Sequence, residues 1–222
     1  MSNNTCTKEM FLEQIKDHKM YILKDDDLYR HIRFKKDSMN MFFDLVTWKG
    51  HLVICGDMGD FHFSRIDDMF EFFHNGEKEF SNEHIINRGY WSEKLQGNIK
   101  YEEYDSDKFK ESVKLYYDEW IEANDVSNYK KKEIWYEIES QVLDEEYSNE
   151  MSEFDTMRKA FEFNFEGFEF DDFHPSCKVY TYHYTWCCYA IVWGIIEYKK
   201  LKKELSGMIE NHKNEKSIEA VK

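Results

Sequence analysis

Residues 41–73 read MFFDLVTWKGHLVICGDMGDFHFSRIDDMFEFF, and this stretch decides the fold. Three short runs within it place apolar residues two apart, a period typical of half-buried strands. The pairs are Phe43 and Leu45, Leu52 and Ile54, and Phe61 and Phe63. Lys49-Gly50 supplies a tight turn after the first run, because glycine accepts the positive φ that short hairpins need, and residues 56–60 supply the second turn. The stretch therefore predicts an antiparallel β-meander, followed by a helix for which Asp67 is the N-cap candidate.

The residues before the meander predict one helix and one further strand. Residues 1–24 carry spaced apolar side chains and predict a short helix that leads toward the sheet. Residues 25–27 are three aspartates and predict a polar break. Residues 31–36 alternate apolar and polar side chains, so they predict the first strand of the meander.

The residues after the meander are mainly helical in pattern. Residues 87–95 predict a short capped helix, and a longer helix begins near Asp105. The apolar face of this longer helix comprises Phe109, Val113, Tyr116, Trp120 and Ile121. A second helix has apolar residues at the same spacing over residues 134–142, and a third starts near Ser152.

The last part of the chain predicts an aromatic tract and a long helix. Residues 161–170 alternate phenylalanine with polar residues around Gly167, which predicts an extended segment or an aromatic plug. Over residues 180–201, apolar side chains cover most of the helix circumference, so this helix should be buried. Lysines in its later turns complement the helix macrodipole if the helix ends near Ser206-Gly207.

Together these patterns predict an α+β fold. It comprises an N-terminal antiparallel β-meander packed with helices, an acidic helical region, and a long buried C-terminal helix that packs back on the sheet. We assign the meander with its short helices to residues 1–99, the acidic, mainly helical region to residues 100–172, and the C-terminal helix to residues 173–222. At 222 residues, one compact domain accommodates all three regions.

The composition predicts a soluble protein of the cytoplasm. No run approaches the roughly 18 apolar residues of a membrane-spanning helix, and the first dozen residues lack the pattern of a signal peptide. The five cysteines have no disulfide-framework spacing, which suits a reducing compartment. Aromatic residues make up 18% of the chain, enough for a core and for recognition surfaces as well.

The net charge of −15 is concentrated in one region. Residues 100–172 hold 23 Asp or Glu and 9 Lys or Arg, a net charge of −14. Such a field repels phosphates, which argues against direct binding to nucleic acid, and it attracts basic protein surfaces. A solvated helical face that serves only solubility is the alternative explanation. The candidate partner-binding carboxylates are Glu102, Glu103, Asp118, Glu119, Glu122, Asp144, Glu145 and Glu146.

No motif of the chain predicts catalytic residues, a metal site or a cofactor. The turn at residues 56–60 lacks the Lys and Ser/Thr of a phosphate loop and lies between two strands. His183 and Cys187 are four residues apart on the predicted C-terminal helix, but burial of cysteine in the core explains them better than a metal does. Cys55 has no basic neighbour to lower its pKa, so a nucleophilic role is not indicated. The meander would allow His31, His51 and His62 to approach one another, but without a carboxylate or Cys at a defined position the pattern is typical of surface strands.

Four blocks of the sequence resemble a family of uncharacterised bacteriophage and prophage proteins. The blocks are DLVTWKGHLVICGDMGDFHFSR at residues 44–65, DMFEFF at 68–73, NRGYWSEKL at 87–95 and YTYHYTWCCYAIVWG at 180–194. They cover about half of the chain and leave out its acidic middle third. The resemblance implies a phage origin and a role inside the infected bacterium, and it carries no catalytic residue onto this chain.

We therefore expect a non-enzymatic phage accessory protein that inhibits a bacterial defence or nucleic-acid-processing protein with a basic surface. A homo-oligomer is compatible with this function. Proteins of the anti-CRISPR and anti-Gabija class act in this way, as steric inhibitors or DNA mimics. Carboxylates spaced along helices replace phosphates against a groove of Lys and Arg, and exposed Tyr or Trp side chains anchor the contact.

Two other functions stay open. A binder of a small molecule, such as a sponge for a nucleotide signal, would use the aromatic-rich sheet and the turn at residues 56–60, with a local basic site of His31, Arg33, Arg65 and Arg88. A metal-dependent hydrolase of nucleotides or DNA would use Asp57, Asp60 and a histidine. The residues considered for such a ligand site are His31, Arg33, Asp57, Asp60, Arg65 and Arg88.

Overall fold

A computed structural model of the chain describes residues 5–74, 80, 86–143 and 152–219. Its contacts divide the chain into two compact units. Met1–Tyr101 and Tyr180–Lys222 form the first, which we call the sheet unit, and Glu102–Val179 form the second, which we call the acidic unit. Each unit has an apolar core of its own.

The described residues of the sheet unit form a five-stranded sheet and four helices. Its elements are α1 (Lys8–Ile15), β1 (Lys19–Asp26), β2 (Tyr29–Lys35), β3 (Phe43–Trp48), β4 (His51–Gly56), β5 (Phe61–Ser64), α2 (Met69–Phe73), α3 (Arg88–Ser92) and α7 (Tyr182–Glu219). The described residues of the acidic unit form three helices and short strands. Its elements are β6 (Glu102–Tyr104), α4 (Ser106–Ala123), α5 (Asn128–Gln141), α6 (Glu153–Glu162), β7 (Asn164–Phe165), β8 (Phe168–Glu169) and β9 (Lys178–Tyr180), whose last residue belongs to the sheet unit.

The five long strands form one antiparallel sheet in the order β1–β2–β3–β4–β5. Phe34 lies opposite Phe43, and Leu45 lies opposite Ile54, so the apolar side chains share one face. Gly50, at φ +81°, forms the predicted turn between β3 and β4. The α+β fold with an N-terminal meander and a long C-terminal helix is confirmed.

Strand β1 corrects the prediction for the N-terminal residues. Tyr21 and Ile22 lie in a strand and not in a helix, because α1 ends at Ile15. Asp25 and Asp26 extend this strand instead of breaking the chain. Nearly all side chains of β1 are exposed, so its sequence lacks the alternation of a half-buried strand. Backbone pairing with β2 specifies the strand instead.

Helix α7 packs on the apolar face of the sheet. Tyr184 and Trp186 are fully buried. At Gly194, a β-carbon would lie 2.8 Å from Leu45 Cδ1 and 3.0 Å from Phe34 Cε2. Glycine therefore lets the helix backbone approach the sheet more closely than a side chain at this position would permit.

Helix α7 also continues past its predicted end. It extends to Glu219, and Gly207 does not have the positive φ with which glycine ends a helix. The ammonium of Lys202 in this helix binds Asp25 of β1 at 2.8 Å. In the part of the chain that the structure describes, no helix has the length and apolar character needed to cross a membrane.

Side chains cap the helix starts. Asp68, and not the predicted Asp67, caps α2, since its carboxylate accepts a backbone N–H of the first turn at 2.9 Å. Asn87, Asp105 and Ser152 cap α3, α4 and α6. Each of these three helices begins where the sequence predicted.

The aromatic tract forms the end of α6 and the small β7–β8 hairpin of the acidic unit. Glu166 at φ +53° and Gly167 at φ +84° form its turn, both in the left-handed region that tight hairpin turns require. Phe168 and Phe170 are buried. They pack in a core with the apolar residues of the helices, which include Phe109, Val113, Tyr117, Ile134 and Ile138.

Candidate partner-binding surface

The solvent face of α4 carries three of the predicted carboxylates. Asp118, Glu119 and Glu122 lie on the side of the helix away from the buried Val113. Asp118 and Glu122 are about one turn apart, roughly 6 Å along the helix axis. Asp118 is half-exposed and accepts a hydrogen bond from Lys114, whereas Glu119 and Glu122 are exposed. The helix therefore presents a short acidic stripe to solvent.

The other predicted partner-binding carboxylates lie on other parts of the chain. Glu102 and Glu103 are neighbours in β6, and successive side chains of a strand point to opposite sides. Asp144, Glu145 and Glu146 lie outside the described residues. The structure thus brings together only the three carboxylates of α4 among those it describes.

Helix α5 adds two exposed tyrosines that the sequence analysis did not single out. Tyr129 is 72% exposed and Tyr136 is 67% exposed. They are seven residues apart, so they share one side of the helix, away from the buried Ile134 and Ile138. The Glu133 carboxylate, one helical turn away, raises the pKa of Tyr129. The spacing of two tyrosines among charged residues was the available sequence signal.

A groove of about 640 Å³ lies between α4 and α5. Leu115, which is 61% exposed, and Trp135 provide apolar surface there. Lys114 Nζ lies 4.8 Å from the Trp135 ring centroid and also binds Asp118. The remaining lining residues are Lys110, Glu111, Glu139 and Leu143. The acidic unit thus combines apolar side chains with carboxylates, as protein-binding surfaces do.

An ionic cluster around the buried Asp44 lies on the outer face of the sheet. Asp44 is only 5% exposed. Arg33 donates from Nε and Nη2 to its two oxygens, both at 2.8 Å, and His31 Nε2 lies 2.7 Å from Oδ2. Burial alone would raise the pKa of Asp44, but these hydrogen bonds outweigh it and hold the pKa below its ordinary value. An internal carboxylate thus already engages the Arg33 fork.

The other residues considered for a ligand site lie in three further places. Asp57 and Asp60 lie in the β4–β5 turn, where their carboxylates accept backbone N–H groups at 2.8 and 3.3 Å. Arg65 follows the last residue of β5, at the opposite end of that strand. Arg88 begins α3, and its guanidinium carbon lies 5.1 Å from the Tyr180 ring centroid. The six residues therefore do not form one cluster.

Two of the three histidines on the meander contact each other. His51 Nδ1 lies 3.0 Å from His62 Nε2, and Trp48 stacks on His51 with ring centroids 4.9 Å apart. Burial and the neighbouring His51 lower the pKa of His62. His31 lies on β2, which β3 and β4 separate from β5, so it does not join the pair.

Within the described ranges, no group of three or more His, Cys, Asp or Glu side chains is placed to hold a metal ion. Cys187 is buried and donates to the Met58 carbonyl at 3.5 Å, whereas His183 is exposed. Burial raises the pKa of the Cys55 thiol, and nearby carboxylates raise it further. Since the thiolate is the nucleophilic form, this environment works against a nucleophilic Cys55.

No family model matches the chain, and comparisons with curated proteins and with solved structures find no match. The resemblance to phage and prophage proteins therefore stays a prediction that rests on the four sequence blocks.

Proposed function

We propose that this chain is a non-enzymatic accessory protein that binds a basic partner protein through the acidic unit. The observation that carries the proposal is the stripe of Asp118, Glu119 and Glu122 on the solvent face of α4. All three face away from the core, and the exposed Glu119 and Glu122 offer their charge to a partner, whereas Asp118 also binds Lys114. The exposed Tyr129 and Tyr136 of α5 supply side chains of the type that dominates binding energy at protein interfaces.

The partner that we propose is a bacterial defence or nucleic-acid-processing protein, and the effect of binding is inhibition. Such proteins bind phosphates with grooves of Lys and Arg. Carboxylates that recur along a helix match the charge of those grooves, and complementary charge speeds the encounter and selects the partner. The resemblance to bacteriophage and prophage proteins favours a partner in the cytoplasm of an infected bacterium.

The test begins with capture of the tagged protein from infected cells, followed by elution with increasing salt. The recovered partner is then purified, and its dissociation constant is measured at low and high salt with the wild type and with the triple variant Asp118→Asn, Glu119→Gln, Glu122→Gln. We expect the triple variant to raise the dissociation constant about three- to tenfold at low salt and to flatten its salt dependence, because surface charges act mainly on association.

A matched control removes the same amount of charge from the sheet unit, through Asp17→Asn, Asp37→Asn and Glu93→Gln. All three side chains are exposed, and the control should bind as the wild type does. If the α4 variant and the wild type share one dissociation constant and one salt dependence, the acidic stripe is not the binding surface and the proposal fails.

A further inference from the structure

A second groove lies between α5 and the β7–β8 hairpin, within the acidic unit. It has a volume of about 380 Å³. An ion pair of 3.0 Å between Lys130 of α5 and Glu166 of the hairpin turn joins its two sides. The lining residues are Tyr129, Lys132, Glu133, Tyr136, Glu137 and Phe165.

The rings of this groove are unusually accessible. Tyr129 is 72% exposed and Tyr136 is 67% exposed. Phe165, on the hairpin side of the groove, is partly exposed. A tyrosine ring presents a negative face that attracts cations, and arginine uses such faces more often than lysine does. The groove therefore offers aromatic surface to a cationic side chain.

Two carboxylates lie beside these rings. Glu133 and Glu137 are one helical turn apart, and Glu137 already accepts one hydrogen bond, from Gln141 at 2.6 Å. A carboxylate has two oxygens with about four acceptor positions, so both keep acceptors for a further donor. At 3.6 residues per turn, the two tyrosines lie between these glutamates and Lys132 around the helix.

We propose that this groove binds an arginine side chain of the basic partner, a role that rests on the proposed function. The planar guanidinium stacks on the Tyr129 or Tyr136 ring and donates in a fork to Glu133 or Glu137. Lysine lacks the planar fork and is more strongly hydrated, so the groove selects arginine over lysine. The stripe on α4 attracts basic partners in general, whereas this groove recognises one type of side chain.

The test uses two peptides of equal charge, acetylated octa-arginine and acetylated octa-lysine, and measures their binding to the full chain by isothermal titration at low salt. The variants are Tyr129→Ala with Tyr136→Ala, and Tyr129→Phe with Tyr136→Phe. Removing both rings should weaken octa-arginine binding about tenfold and leave octa-lysine binding unchanged, because only the arginine peptide uses the rings. The phenylalanine variant retains the rings and should keep most of the preference for arginine.

The control is Phe154→Ala, which removes an aromatic side chain of similar exposure, 74%, from α6 outside the groove. It should bind both peptides as the wild type does. Equal affinities of the wild type for the two peptides, or unchanged octa-arginine binding after loss of both tyrosines, would overturn the proposal. If in that case neutralising the α4 stripe weakens both peptides, the proposed function survives and only the groove is wrong. If neither peptide binds, the proposed function fails as well.

Discussion

In the sheet unit the least exposed carboxylates bind cations of the same unit, whereas in the acidic unit the carboxylates of α4 face solvent. Asp44 accepts a hydrogen bond from Arg33. The two carboxylate oxygens of Asp68 accept from Arg30 at 2.8 and 2.9 Å. Asp25 accepts from Lys202. Burial would raise the pKa of each of these three aspartates, but hydrogen bonds from its partners lower it below the ordinary value.

This difference separates two uses of acidic residues within one chain. A carboxylate that is buried with its cation contributes to folding, because removal of one partner leaves the other without its counter-charge. A carboxylate on a solvent face contributes little to folding, so selection for a binding surface is free to place many of them there.

The largest loss of stability should come from a substitution in the apolar core of the sheet unit. The Trp186 ring packs edge-on against Phe11 and Phe43, with centroids 5.3 and 5.6 Å away, and its Nε1 donates to Gln14 at 2.8 Å. Trp186→Ala should therefore lower the free energy of unfolding by about 3 to 5 kcal/mol, as measured by urea denaturation with circular dichroism.

Trp120→Ala provides the comparison in the acidic unit. Trp120 contacts Phe168 but is only partly buried, so its loss should cost clearly less than the loss of Trp186. Equal losses for the two variants would show that the sheet unit does not depend on its contact with α7 in the way we describe.

The second effect concerns the cluster at Asp44. Asp44→Asn removes the charge that Arg33 and His31 share, and we expect a loss of about 2 kcal/mol at pH 7, because hydrogen bonds to charged groups contribute at this level. The loss is limited, since the Arg33 side chain is about one-third exposed, at 33%, and reaches water. Asp118→Asn, at a half-exposed carboxylate, is the matched control and should cost at most about 0.5 kcal/mol.

The pH dependence of the stability lost in Asp44→Asn follows from the lowered pKa of Asp44. The unfolded carboxyl titrates near 3.8 and the folded one below that, so the stabilisation is fully present above the unfolded pKa. It is lost as the pH falls through the folded pKa. The difference in unfolding free energy between wild type and Asp44→Asn should be constant above about pH 5 and shrink below pH 4. A difference that persists undiminished at pH 2 would mean that charge is not its cause.

The Asp44 cluster also shows why sequence predicted more of the fold than of its interactions. The alternation of Phe43 and Leu45 predicts a strand, and residues 31–36 predict its neighbour. The register that sets Arg33 opposite Asp44 depends on the connection between β2 and β3, and a loop of several residues does not fix a register as a two-residue turn does. The sequence pattern therefore could not predict the ionic cluster at Asp44.

Strand β1 and the tyrosines of α5 were missed for a different reason. Periodicity detects a face that is buried, and both features are exposed. Tyr21 and Ile22 lie on an edge strand that backbone pairing specifies. Tyr129 and Tyr136 lie on the solvent side of a helix whose predicted pattern came from its buried residues. The position of Gly207 within α7 likewise depends on its backbone conformation, which composition does not reveal.

The third effect is a pH dependence of stability at the His51–His62 pair, which falls in a higher pH range than that of Asp44. Burial lowers the folded pKa of His62 below its ordinary value of 6.5, and His51 adds to this. The unfolded state therefore takes up a proton first as the pH falls, and stability decreases from about pH 7 down to the folded pKa. His62→Asn should lose less stability than the wild type between pH 8 and pH 5 in urea denaturation. The exposed His183→Asn should show the wild-type decrease, and a steeper decrease for His62→Asn would contradict this account.

The smallest effect should come from the acidic stripe itself. The triple variant Asp118→Asn, Glu119→Gln, Glu122→Gln removes three negative charges and one exposed ion pair with Lys114. The lost ion pair contributes little at half-exposed positions, and the removal of like charges from one helix offsets that loss. We therefore expect the free energy of unfolding to change by no more than about 0.5 kcal/mol in either direction, although the formal charge changes three times as much as in Asp44→Asn. The measurement is urea denaturation at low and high salt, where the repulsion between these charges is screened. A loss of stability as large as that of Asp44→Asn would mean that the fold itself uses the stripe, and the division between folding and binding carboxylates would no longer hold.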